Sequence, residues 1–260
     1  MRFQGFGPKV YPGQTPVFDL FDDFFETGYR QDHALSISGG TDRATYASSF
    51  SYFRHQGVTP FADWDRLTAR LAGSFDVTDN LTVSGSVNYT NSGGNKPHSG
   101  DKSIMSSLSY HPLSFDVNDY INPDGSMRDF SDGIIDNPRY LAEFSSLVDD
   151  VDRTLGNISF DYNPAPWFTL TYRVGVDFYK DARIRTVPAG LDLSSQTGGF
   201  IIEEDITSRQ VNSTLLATFR KDLSNDFNLE VSVGHDLNDR QLEITNVRGE
   251  DFTIPGFFHL

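Results

Sequence analysis

The chain has 260 residues, 37% hydrophobic and 13% aromatic, with no cysteine and a formal charge of −15. Disulfides, thiolate zinc sites and cysteine nucleophiles are therefore excluded, and so is a surface built to neutralise nucleic-acid phosphates. No stretch approaches the roughly 18 consecutive apolar residues of a transmembrane helix. The opening MRFQGFGPKV lacks the apolar centre of a signal peptide.

Residues 19–26, DLFDDFFE, interleave acids with aromatics. This is the pattern of a short amphipathic segment rather than of a paired-carboxylate site, and no catalytic residue is expected in the chain. The stretch HALSISGGTDRATYASSFSYF, residues 33–53, reads as a hairpin turning at Gly39-Gly40. Side chains alternate along a strand, so Leu35 and Ile37 share a face with Tyr46, Phe50 and Tyr52 across the turn. The other face is Ser, Thr and Ala.

The design repeats. In RLTARLAGSFDV, residues 66–77, Leu67, Ala69, Leu71, Gly73, Phe75 and Val77 oppose Arg66, Thr68, Arg70, Ser74 and Asp76. In LTVSGSVNYT, residues 81–90, Leu81, Val83, Val87 and Tyr89 oppose Thr82, Ser84, Ser86 and Asn88. Residues 153–162 and 167–179 form a third pair, with Ile158, Phe160, Leu170, Val174 and Val176 opposing Asn157, Ser159, Thr171, Arg173 and Asp177. Residues 210–220 and 227–236 form a fourth. Eight strands of about 10 to 13 residues result, longer than the usual five or six.

Short turns at 39–43, 78–80, 163–166 and 221–226 alternate with longer connections at 54–63, 91–152, 180–208 and from 237 onward. All tight ends therefore lie at one end of the sheet. Long strands, apolar on one face and polar on the other, with short turns at one end and long loops at the other, describe an all-β, up-and-down antiparallel transmembrane β-barrel. Its lumen face would carry Arg66, Arg70, Arg173 and Asp177. Aromatics near strand ends (Tyr52, Tyr89, Tyr162, Trp167, Phe168, Phe178, Phe219, Phe227) fit interfacial girdles. The reading divides the chain into an entry segment at 1–28, strands over 29–236, and the start of a further extracellular loop at 237–260.

The connection 91–152 holds eleven acidic and four basic residues, so nearly half of the excess charge sits in it. Long loops of this kind are usually functional. Tyr120, Phe130 and Tyr140 are its candidate ligand-binding residues, able to stack on sugar rings or touch a partner, or else to fold the loop onto itself. SIMSSLSYHPLS within it suits a short helix ended by Pro112, and NPDGS, residues 122–126, has β-turn chemistry. The six histidines show no metal-ligand spacing, so neither a metal nor a cofactor is expected.

FDDFFETGYRQDHALSISGGTDRATYASSFSYFRHQGV, followed later by GHDLNDRQ and IPGFFHL, resembles SusC/RagA-type TonB-linked outer-membrane proteins from about Phe18 to the end. That resemblance implies a TonB-dependent importer in the outer membrane of a Gram-negative bacterium, a plugged barrel of about 22 strands. It also implies a SusD-like surface lipoprotein as lid, the TonB complex and outer-membrane lipid as partners, and an oligosaccharide or peptide as ligand. No plug and no TonB contact are recognisable, so the expectation is an internal piece of the barrel. Two other readings stay open: a self-contained eight-stranded outer-membrane adhesin or structural barrel, and a soluble β-sandwich binding module.

Overall fold

The computed structural model describes residue 13 and residues 16–191 and 198–253. The phrase IPGFFHL and most of the segment before Pro16 lie outside the described residues. Among the described residues, eight antiparallel strands form one sheet in strict sequence order: β1 (Tyr29–Thr41), β2 (Ala44–Gln56), β3 (Asp63–Thr78), β4 (Leu81–Lys96), β5 (Ser146–Ala165), β6 (Phe168–Val187), β7 (Phe200–Ser224) and β8 (Phe227–Glu250). Among the described residues, three short helices lie outside the sheet: α1 (Leu20–Phe24), α2 (Ile104–Tyr110) and α3 (Pro138–Phe144). Among the described residues, no helix is long and apolar enough to cross a membrane.

Four two-residue turns, 42–43, 79–80, 166–167 and 225–226, close one end of the sheet, the loop length that most readily joins antiparallel neighbours. The predicted turn at Gly39-Gly40 is a correction: both glycines belong to β1, and Asp42-Arg43 makes the turn. Gly39 pairs with Tyr46, and a Cβ there would sit 2.6 Å from the tyrosine oxygen, so the glycine makes room for the ring. The turns predicted at 163–166 and 221–226 likewise shrink, because β5 and β7 run on to Ala165 and Ser224.

At the opposite end the strands outrun their predicted limits. The connections are 57–62, 97–145 and 188–199, not 54–63, 91–152 and 180–208, and β8 continues to Glu250 where a loop was expected from 237. Alternation fades there because both faces of the sheet become polar or covered, yet pairing persists from Lys96↔Leu147 to Phe200↔Glu250.

Among the described residues neither alternative architecture is present. A closed eight-stranded barrel needs β1 to pair with β8, but the two are the open edges of the sheet. A sandwich needs a second sheet over the apolar face. Instead Leu35, Ile37, Tyr46, Leu71, Phe75 and Val233 are 53–64% exposed.

The outer face carries a sloping boundary. Moving away from the turns, the first outward charge is Arg54 on β2, Asp65 on β3, Asp152 on β5, Lys180 on β6, Arg209 on β7 and Asp239 on β8. The register row through Arg54 runs Asp65, Gly93, Asp150, Ala182, Asp205 and reaches β8 at Thr245, six residues beyond Asp239. Six residues over six pairings is one residue per strand. With about 3.3 Å rise and about 4.8 Å between strands, a level boundary demands a strand tilt of about 35°, the tilt of a barrel wall. Outward Tyr52, Tyr89 and Phe178 sit directly before Arg54, Asn91 and Lys180, so the upper aromatics follow the same slope. From Phe168 to Phe178 the apolar face of β6 is then about 27 Å tall, against the ~25 Å band of outer-membrane barrels.

Candidate functional site

The inner face is a polar wall. Arg70 lines a cleft of about 610 Å³ with Ser86, Asn88, Asn157, Asp177 and Gln210. Asp177 accepts two hydrogen bonds from Arg153, at 3.1 Å from Nε and 2.7 Å from Nη2. Asn157 donates to Ser86 Oγ at 2.8 Å, and Thr171 to Asp161 at 2.7 Å. Arg66 lies 5.6 Å over the Trp64 ring and 5.9 Å over Phe53. Arg173 is exposed between its register partners Ser159 and Thr214. The four predicted inner residues therefore share a face, but only Arg70 and Asp177 share a cleft. Arg153 escaped the sequence reading although it has the parity of Asn157; it opens its predicted strand, where one alternation carries little signal.

Farther from the turns the wall becomes charged and covered. Asp149, 8% exposed, pairs with Lys96. Asp181, 1% exposed, accepts from Arg183 Nη2 at 2.6 Å, and Arg183 also reaches Glu204 at 3.1 Å. Tyr179 also donates to Asp181, so the buried carboxylate is held by hydrogen bonds from two side chains.

What covers this wall is a cap built from three segments of the chain. Asp19 caps α1, Ser103 caps α2 and Asn137 caps α3, each accepting a first-turn amide hydrogen bond. Leu20 and Phe24 of α1 pack with Ile104 and Leu108 of α2, Val117, and Tyr140 and Leu141 of α3. This core closes on Val187 and Phe200, which are register partners of inward parity. The cap thus sits over the lumen side of the wall, not the outer side. Glu26 bonds through its amide to Val58 O at 2.8 Å and through its carboxylate to Arg139 at 3.0 Å, tying the entry segment to the 57–62 connection and to α3.

The loop aromatics do not form one open surface. Tyr140 is 5% exposed, in the cap core, and its hydroxyl donates to Gly125 O at 3.3 Å. Tyr120 packs against that core and donates to Glu143 at 2.6 Å; this hydrogen bond, with burial, pushes its phenol pKa up. Phe130 belongs to a neighbouring cluster, 4.2 Å from the His111 ring and 6.4 Å from Phe115. The predicted short helix is α2, with His111 as C-cap before Pro112. NPDGS is a turn, closed by Gly125 N to Asn122 O at 2.9 Å. Among the described residues no three His, Asp or Glu side chains gather as metal ligands.

A tilted, up-and-down antiparallel sheet with an apolar outer and a polar inner face is a sector of β-barrel wall. Solved structures of the RagAB peptide importer have this architecture. In its 'closed-closed' state the importer aligns at a TM-score of 0.73 and 17% identity over 95% of this chain and 29% of that one. The 'open-open' state gives the same values, and a structure of the RagAB peptide transporter gives 0.73 and 16% over 98% and 29%. At this identity the similarity is one of fold, and the chain spans about 29% of the length of the chains it matches. No protein-family description matches the sequence, nor does any curated protein.

Proposed function

We propose that these eight strands form part of the wall of a SusC/RagA-type importer in the outer membrane of a Gram-negative bacterium. The observation that carries this reading is the sloping outer boundary: one residue per strand is the stagger that keeps an apolar band level in a bilayer. Two open edges cannot face hydrocarbon, where each unpaired backbone group costs several kcal/mol, so further strands complete the wall. Ligand passes along the inner face, past Arg70 and Asp177, beneath the cap. A SusD-like lipoprotein closes the mouth, and a plug coupled to TonB gates the lumen. Tyr120, Phe130 and Tyr140 act in this account chiefly by holding the cap in shape, with Phe130 the most available to a ligand or lid.

Oligopeptides are the first ligand class to test, since the structural neighbours carry peptides, and oligosaccharides are the second. The intact gene product should fractionate with outer membranes. Removing residues 101–136 from it should abolish uptake of one fluorescent ligand class while leaving the protein in the membrane. Uptake of both classes unchanged by deletion of the whole gene would reject the importer reading.

A further inference from the structure

At the turn end, the outer face carries a groove that joins a ring stack to a cation. Trp167 in the β5–β6 turn stacks on Phe219, with centroids 6.3 Å apart and planes at 20°, and Phe168 packs on the same ring at 4.8 Å. With Leu229 and Val231 of β8, Trp167 and Phe219 line a groove of about 520 Å³ whose remaining walls are Arg220 and Lys221. The two cations differ. Arg220 has inward parity and is paired with Glu230 at 2.7 Å. Lys221 has the outward parity of Phe219, stands opposite Leu229 in register, and is paired with no carboxylate among the described residues.

The nearby acids lie elsewhere: Asp222 has inward parity and accepts from Asn228 at 2.7 Å, and Asp226 is in the turn. The outward residues of β7 between Lys221 and Arg209 are Phe219, Ala217, Leu215, Ser213 and Val211, none of them charged. Twelve residues at about 3.3 Å, tilted about 35°, separate the two cations by about 32 Å along the normal, close to the ~30 Å hydrocarbon thickness. Lys221 therefore stands at the headgroup level of the turn-side leaflet, with an open apolar groove running from it into the hydrocarbon.

We propose that this groove holds one anionic glycerophospholipid of the turn-side leaflet. Its phosphate meets the Lys221 ammonium, and an acyl chain lies along Phe219, Leu229 and Val231. Aromatic rings at the interface and a cation beside lipid phosphate are the chemistry such a headgroup requires. The inference rests on the membrane-wall reading above.

The test uses the full-length protein in mild detergent with added dioleoyl phosphatidylglycerol, read by native mass spectrometry. One lipid per protein should survive detergent removal in the gas phase. Lys221→Gln should lower that occupancy about fivefold, and Val231→Trp, which fills the groove, should lower it comparably. Lys96→Gln, a cation at the other end of the wall, should leave it unchanged, and inorganic phosphate should not compete. Lipid occupancy unchanged from the wild type in Lys221→Gln or in Val231→Trp would overturn the proposal, as would loss of a protein dimer, rather than of lipid, in Val231→Trp. Failure of the membrane-wall reading would show differently, as a folded monomer in buffer without detergent.

Discussion

Leu141 and Leu71 are the same residue in two regions that treat it oppositely. Leu141 in the cap is wholly buried, whereas Leu71 on the wall is 58% exposed. The cap is built like a small soluble protein: helices capped at their N-termini, an apolar core, and ion pairs at its margin. The wall holds together through its strand ladder and has no core of its own on the outer face; β1 is exposed at every residue. An apolar surface this continuous has its solvent outside the protein. In the proposed membrane wall this difference means one chain written for two solvents, water around the cap and hydrocarbon around the wall.

Core truncation in the cap should have the largest local effect. Leu141→Ala should destabilise the cap by about 2–5 kcal/mol. Hydrogen exchange should then rise across 97–145 and not across β1–β3; a rise in both would mean that cap and wall are one cooperative unit. Next comes the wall. Leu71→Arg should cost about 2–4 kcal/mol in a lipid refolding titration, and Thr68→Arg, facing inward on the same strand, much less. Equal costs would erase the distinction between the two faces.

Mild acidification should act on the cap first. Burial lowers the pKa of His98 and His111, and their Nε2 atoms are buried without a hydrogen-bond partner. A histidine whose folded pKa is depressed contributes stability that is present above its unfolded value of about 6.5 and lost as pH falls through the folded one. Exchange in 97–145 should therefore accelerate below pH about 6.5, and His111→Gln should blunt the change. A cap indifferent to pH would show that neither imidazole is buried in solution. Smaller still, Asn137→Ala should remove the α3 cap at about 1 kcal/mol. Arg43→Gln, breaking an exposed turn pair with Asp79, should cost less than about 1 kcal/mol by thermal denaturation.

The wall was legible in the sequence because a period of two survives any arrangement of neighbours: Leu67, Leu71 and Phe75 had to share a face before their partners were known. The turn at Gly39-Gly40 was misread because glycine marks both turns and close approaches, and here it serves the Tyr46 ring. Strand ends such as DARIRTV were illegible because at their tip Thr186 has outward parity while Val187 turns inward into the cap core, which inverts the pattern of the apolar band. The cap was legible only as separate pieces. That Leu20 and Leu141 meet depends on contacts across more than a hundred residues, and no local pattern announces that Tyr140 would be interior. Arg153 was within reach by parity alone.

The most direct test of the wall is its slope. Because the chain has no cysteine, single cysteines at 54, 239 and 245 can each carry a fluorophore in the full-length protein, reconstituted with lipids quenching at known depths. Residues 54 and 245 share a register row, whereas 54 and 239 share a level only if the strands tilt by about one residue each. Residues 54 and 239 should lie at equal interfacial depth, with 245 about 16 Å farther into water. Equal depth at 54 and 245, with 239 in the hydrocarbon, would contradict the tilt.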